Sequence, residues 1–320
     1  MQVDFLTTLV SVALMVALCL PGFILRKLKL LGGGAVAGLV TVLLYVAQPA
    51  QTVFSFLQKD FEPALLLNMG AALLTAVLLH LLVYFAAKPA FLGIREKAEK
   101  NVLEITAFLG NVGYMGIPVM RALFPENPEM LLYTAVVIVG FNMVGWSLGV
   151  YNITQNKRNI SIRRIFFNPP VAALILALPL FFTKAYIPAP VIGQITPFIT
   201  FLSDMTLPLS MIILGIRLAE MSFTRIFCRP GAYLAAACKL VLAPLLSFAL
   251  MLLFRLFLPL DPMLFVALFI IMAMPSASLT LSLCEKFDGD RETAVRVNVI
   301  STLLCTVTIP LFMLLCPFLV

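Results

Sequence analysis

Ten apolar runs separated by short polar stretches leave this chain one environment in which to fold. They fall at about 5–25, 35–57, 64–87, 102–124, 131–152, 165–183, 195–218, 231–254, 263–284 and 294–318. Each is near the roughly 20 residues a helix needs to cross the hydrocarbon core of a bilayer. The chain is 62% hydrophobic and only 12% charged, with a mean hydropathy of +1.07. A soluble domain carries about 25% charged residues, so the composition reads as a polytopic all-α membrane protein whose surroundings are lipid. No loop is long enough to house a soluble domain, and any site must lie within the membrane region.

Loop charge orients the spans. Seventeen of the 22 lysines and arginines follow odd-numbered runs, from Arg26, Lys27 and Lys29 to Lys286, Arg291 and Arg296. By the positive-inside rule these loops face the cytoplasm and both termini face outward, in a multi-pass protein of the cytoplasmic (inner) membrane. The net charge of +7 is thus a topology signal and not a nucleic-acid surface. The start, 1–25, has no basic leader and reads as a retained first helix.

The fourth run is interrupted by Gly110-Asn111-Val112-Gly113-Tyr114-Met115-Gly116-Ile117-Pro118. Proline removes a backbone donor and glycine costs helix stability. In hydrocarbon such a break survives only where the freed backbone groups are buried in protein or line a wet cavity. The ninth run is broken in the same way at Met272-Ala273-Met274-Pro275-Ser276-Ala277-Ser278. Pro118 and Pro275 are 157 residues apart, Pro49 and Pro208 are 159 apart, and Pro21 and Pro179 are 158 apart. The near-constant offset predicts two repeats, 1–152 and 153–320. Five spans per repeat make the second repeat inverted, and paired broken segments in the two halves point to a transporter's site.

Half-helix N-termini exposed by such breaks favour a carboxylate, while freed carbonyls suit a cation or a hydroxyl. Asn111, Gly113, Gly116 and Pro118 in the first break, and Pro275, Ser276 and Ser278 in the second, are the candidate substrate-binding residues. Tyr114 and Met115 fit packing and lining equally. Asn142, beside Gly140 and Gly145 in the fifth span, is a further candidate. Two charges lie deep in spans, where they are costly. Asp204 and Lys239 either pair across helices or act separately, Lys239 attracting the anion and Asp204 serving as the coupling candidate. Glu104 and Arg121 are expected to snorkel to the interfaces, and the single Trp146 reads as core. His80 fits a hydrogen-bonded packing residue better than a proton relay. The six cysteines lack metal-ligand spacing and read as packing residues. No nucleotide loop, metal set or nucleophile with a base is present, so neither an enzyme nor a bound cofactor or metal is expected.

Asn111 to Met120 resembles the fourth helix of the auxin efflux carrier family, whose members export plant auxin or carry small organic acids in bacteria. The likeness continues in Asn168-Pro169-Pro170, in Ser203-Asp204 with Gly215, from Ala273-Met274-Pro275 to Glu285-Lys286-Phe287, and in Ser301-Thr302-Leu303-Leu304 with Pro310. It implies ten transmembrane helices as two inverted five-helix repeats, with broken helices four and nine crossing at mid-membrane. Helices 1, 2, 6 and 7 would form a scaffold through which two copies pair. Helices 3–5 and 8–10 would form a transport domain that moves like an elevator. The pattern departs at Thr280, where plant members carry a second proline, and a long central cytoplasmic loop is absent.

The expectation is a secondary carrier of a small organic anion, a mono- or dicarboxylate such as malate or malonate, or an auxin-like acid. The rivals are a sodium-coupled symporter of larger carboxylates and a membrane receptor that binds the anion without moving it.

Overall fold

Helices that face lipid are apolar around most of their circumference, whereas the buried ones are sorted by what packs against them. The computed structural model describes residues 5–32 and 34–320, so residues 1–4 of the expected first helix lie outside the described residues. In chain order the helices are α1 (Phe5–Lys27), α2 (Ala35–Leu57), α3 (Pro63–Phe91), a broken segment of α4a (Lys97–Phe108) and α4b (Ile117–Leu123), and α5 (Glu129–Thr154). They continue as α6 (Pro169–Tyr186), α7 (Ala189–Glu220), α8 (Pro230–Phe257), a second broken segment of α9a (Pro262–Met272) and α9b (Ser278–Lys286), and α10 (Arg291–Met313). Eight of these, all but the two broken segments, are long and apolar enough to cross a membrane. No β-strand forms among the described residues.

Local sequence sets the helix starts. Asn168 caps α6 by accepting from the Val171 amide at 3.1 Å, with Pro169 and Pro170 opening the helix, as proline does where its missing N–H costs nothing. Asp261 and Asp290 cap α9a and α10 in the same way, each accepting at 2.9 Å from a first-turn amide.

Helix α1 packs on both α7 and α10. The second half of α1 lies against the second half of α7 so closely that a Cβ on Gly22 would stand 2.1 Å from the Ile212 carbonyl oxygen. A Cβ on Gly215 would stand 2.0 Å from that of Cys19. Bare glycines let these backbones touch, a common basis of helix association in membranes. Helix α2 packs on α6 and α7. Elsewhere α3 packs on α5, and α8 packs on α4a, α9a and α10. Helix α5 is enclosed, with every residue from Met130 to Phe141 buried, while α1 leaves Leu6, Leu14, Leu20 and Ile24 exposed. All six cysteines are free, and Cys238, Cys284, Cys305 and Cys316 are buried.

The two breaks meet, but not in the register that the prolines suggest. Gly110 faces Ser276 in an isolated antiparallel bridge. Pro275 lies inside its break, whereas Pro118 sits in the first turn of α4b, past the crossing, where the helix tolerates it. The 157-residue offset therefore does not pair equivalent points of the two breaks.

Candidate functional site

The crossing is held by backbone groups that the breaks set free. Asn111 donates its amide to the Pro275 carbonyl at 2.7 Å, and Ala277 donates to the Leu109 carbonyl at 2.9 Å. Buried backbone groups need such partners, and more so in a membrane. The carbonyls around the helix C-terminal ends are closed by side chains as well. Ser276 Oγ donates to the Thr106 carbonyl at 2.8 Å, and Lys239 Nζ donates to the Met272 carbonyl at 2.6 Å. At the entry to α9b, Asn298, with its amide nitrogen turned toward the acceptors, donates to the Ser276 and Ala277 carbonyls at 2.8 and 3.2 Å. Ser301 Oγ accepts from the Ser276 amide at 3.0 Å.

The N-terminal ends are treated differently. Gly113 and Tyr114 lie in the first turn of the helical run that continues into α4b, and Leu279 in the first turn of α9b. All three line one cavity of about 300 Å³. First-turn amides have no intrahelical acceptor and carry the positive end of the helix dipole. Asn111, Asn142 and Gln48 line the same cavity, each almost fully buried. The Asn111 side-chain amide has no protein partner among the described residues. Gln48 Oε1 is buried without a partner among the described residues, an arrangement that costs stability unless a ligand or water answers it. Asn142 donates to the Ile138 carbonyl of its own helix at 2.7 Å.

The other end of this cavity is cationic. Arg164 and Lys286 line it, both exposed, and neither has a carboxylate partner among the described residues. Lys286 Nζ stands 5.3 Å over the Trp146 ring and the Arg164 guanidinium 5.6 Å over Phe287, contacts that hold a cation without neutralising it. Leu279, Ser282 and Lys286, one face of α9b, connect the two ends.

These features are those of a protein that binds within the membrane, and comparison with known proteins agrees. A family model described as membrane transport protein matches residues 5–313. The chain belongs to that family. An uncharacterized transporter of Methanothermobacter thermautotrophicus is 27% identical to it over 311 residues, which cover 95% of this chain and 96% of the relative. The protein is a multi-pass membrane transporter, in line with the kinship its motifs suggested.

The transporter gathers some of the sequence candidates and disperses others. Asn111, Gly113 and Asn142 line the main cavity, and Pro275 supplies the carbonyl that anchors Asn111. Gly116 is buried against Thr134 and Val112. Ser278 lines a separate space of about 40 Å³ with Asn298 and Tyr114. Pro118 lines a cavity of about 430 Å³ on the far side of the crossing, with Gln51, Arg121 and Asp204. Ser276 is buried with its hydroxyl spent on Thr106, and Lys239 is buried behind the crossing, so neither lines the main cavity. Asp204 pairs with Arg121 across helices α7 and α4b. Of the two alternatives for Asp204 and Lys239, pairing with each other is thereby excluded. Glu104 is largely buried, accepts from Asn152 at 3.3 Å, and lines a polar cavity with Lys88, Arg95 and Lys100. His80 is a packing residue whose Nδ1 lies 2.6 Å from the Ala76 carbonyl. Trp146 lines the cavity instead of the core.

Gln48, Arg164 and Lys286 escaped the sequence reading. Gln48 and Gln51 bracket Pro49 inside an apolar run, and that polar pair was the available signal. Arg164 and Lys286 are indistinguishable in sequence from the other basic residues that set topology.

Proposed function

We propose that this transporter carries a small organic anion, a mono- or dicarboxylate such as malate or malonate or an auxin-like acid, bound at the crossing of the broken helices. The observation that carries this reading is the asymmetry of the crossing. Its helix N-terminal ends open on the cavity, while carbonyls at the C-terminal ends of α9a and α4a are closed by Lys239 and Ser276. Such a cavity offers donors and positive potential, which suits a carboxylate and leaves little for a cation. Its volume, at the low end for ligand pockets, suits a small one. Arg164 and Lys286 raise the local concentration of anions at its mouth.

In this reading the chain is ten spans in two inverted repeats, in a cytoplasmic membrane with both termini outside. The helices α1, α2, α6 and α7 form a scaffold that dimerises, and α3–α5 with α8–α10 move against it as an elevator. Arg164 and Lys286 then mark the cytoplasmic mouth, so the conformation described is open to the cytoplasm. Asp204, at the opposite end, is the residue whose protonation would couple the motion to a proton gradient.

The test is uptake of labelled malate, malonate and indole-3-acetate into proteoliposomes under imposed pH, sodium or potential gradients, with wild type beside Asn111→Ala. The reading predicts saturable uptake of one of these acids, lost in a variant that still folds. Flux that requires sodium would favour a sodium symporter, and saturable binding without flux a receptor.

A further inference from the structure

One cation in this molecule is buried where neither topology nor the cavity calls for it. Lys239 projects from a π-helical turn of α8, Cys238–Leu242, and its side chain is fully buried. Its Nζ donates at 2.6 Å to the carbonyl of Met272, the last residue of α9a. The same side chain presses on the other break, since a Cβ on Gly110 would stand 2.8 Å from its Cε and 3.0 Å from its Nζ. The ammonium therefore sits between the two breaks. No carboxylate pairs with it among the described residues. A buried charge is expensive unless compensated, and what compensates this one is the negative end of α9a.

Freed carbonyls at a half-helix C-terminus are the groups with which membrane carriers hold a co-transported cation. We propose that the Lys239 ammonium is a tethered replacement for such a cation, filling the carbonyl position at the crossing so that the anion moves without sodium. The inference rests on reading the site as an anion carrier. It adds that the compensating charge is covalent and stays with α8 through the cycle. The flux of the anion then does not respond to a sodium gradient. Lys239 is a positioning residue, acting on the anion through the breaks that it holds.

The test has a readout that does not need the substrate. Purified wild type, Lys239→Ala and Lys239→Gln are melted in detergent in sodium chloride, in choline chloride and in methylammonium chloride at equal ionic strength. The proposal predicts the same midpoint for wild type in all three salts. Lys239→Ala melts lower in choline and recovers by a few degrees in sodium or methylammonium, which bind the vacated carbonyls. Lys239→Gln keeps a donor for Met272 without the charge, so it folds but loses labelled malonate uptake. Sodium stabilisation of wild type, an alanine variant whose lowered midpoint neither cation moves, an alanine variant as stable as wild type, or a glutamine variant with full flux would each overturn the proposal. If Lys239→Ala does not fold, the wild-type melts and the glutamine variant still decide it. Failure of wild type to move malonate would count against the substrate reading, while the melting series would still judge Lys239.

Discussion

At Gly113 the missing side chain is what lets Gln48 reach the crossing, because a Cβ there would stand 2.7 Å from Gln48 Nε2. Gly113→Ala should push that amide aside at little cost to folding, because it is the far end of a flexible side chain. Uptake should nonetheless fall and return in part when Gln48 is shortened to serine, as a double-mutant uptake assay would show. Arg164 and Lys286 should behave differently, since they lie at the mouth and not at the breaks. Arg164→Gln and Lys286→Gln are expected to raise KM several-fold with little change in kcat, and to flatten the dependence of uptake on ionic strength. Residue type and depth were legible for Asn111, whose polar amide sits in a broken apolar run. The direction of a side chain was not. Lys239 and Ser276 are as buried as Asn111, but the crossing of two segments far apart in sequence turns both away from the cavity.

Among elements, the broken segments are stabilised by neighbours that sequence proximity does not reveal. The Ser276 amide has Ser301 Oγ of α10 as its acceptor. Ser301→Ala leaves a buried donor unpaired, an expected loss of about 1–3 kcal/mol that a thermal melt would register. Ser301→Thr keeps the hydroxyl and should melt closer to wild type. Four continuous helical runs contain a π-helical turn, at Leu43–Ala47, Val112–Gly116, Gly145–Gly149 and Cys238–Leu242. The first three supply Leu44, Tyr45, Gly113, Tyr114 and Trp146 to the cavity, and the fourth carries Lys239. Wide turns of this kind often mark functional sites. Hydropathy found the helices but not these turns, because a π-turn changes which side chains face inward without changing how apolar the segment is. The breaks were legible because proline and glycine announce them. The contact register was not, since Gly110 meets Ser276 while the repeating prolines lie elsewhere.

For the whole molecule, two ion pairs among the described residues join α7 to the broken segments. Arg121 of α4b pairs with Asp204 of α7, and Arg217 of α7 pairs with Glu285 of α9b. Exposed pairs such as these add little stability, about 0–1 kcal/mol each. They do mark where two bodies must part if one slides past the other. Replacing Arg217 and Glu285 by cysteines and cross-linking them should arrest uptake, and reduction should restore it. Uptake that continues through the cross-link would mean that the helices on either side of this contact do not slide. Under the proposed topology, ten spans with the basic loops inside, Val320 lies outside, so a reporter fused there that proved cytoplasmic would contradict it.

The most direct test of an anion at the crossing uses a probe already in place. Trp146 is the single tryptophan of the chain, and it lines the cavity beneath Lys286. Titrating the purified transporter with malate, malonate and indole-free carboxylates of similar size, while following Trp146 fluorescence, reports occupancy without requiring flux. The account predicts a saturable change with at least one acid, abolished by Asn111→Ala in a protein with unchanged melting. No saturable change with any acid, or a change that survives loss of Asn111, would contradict it.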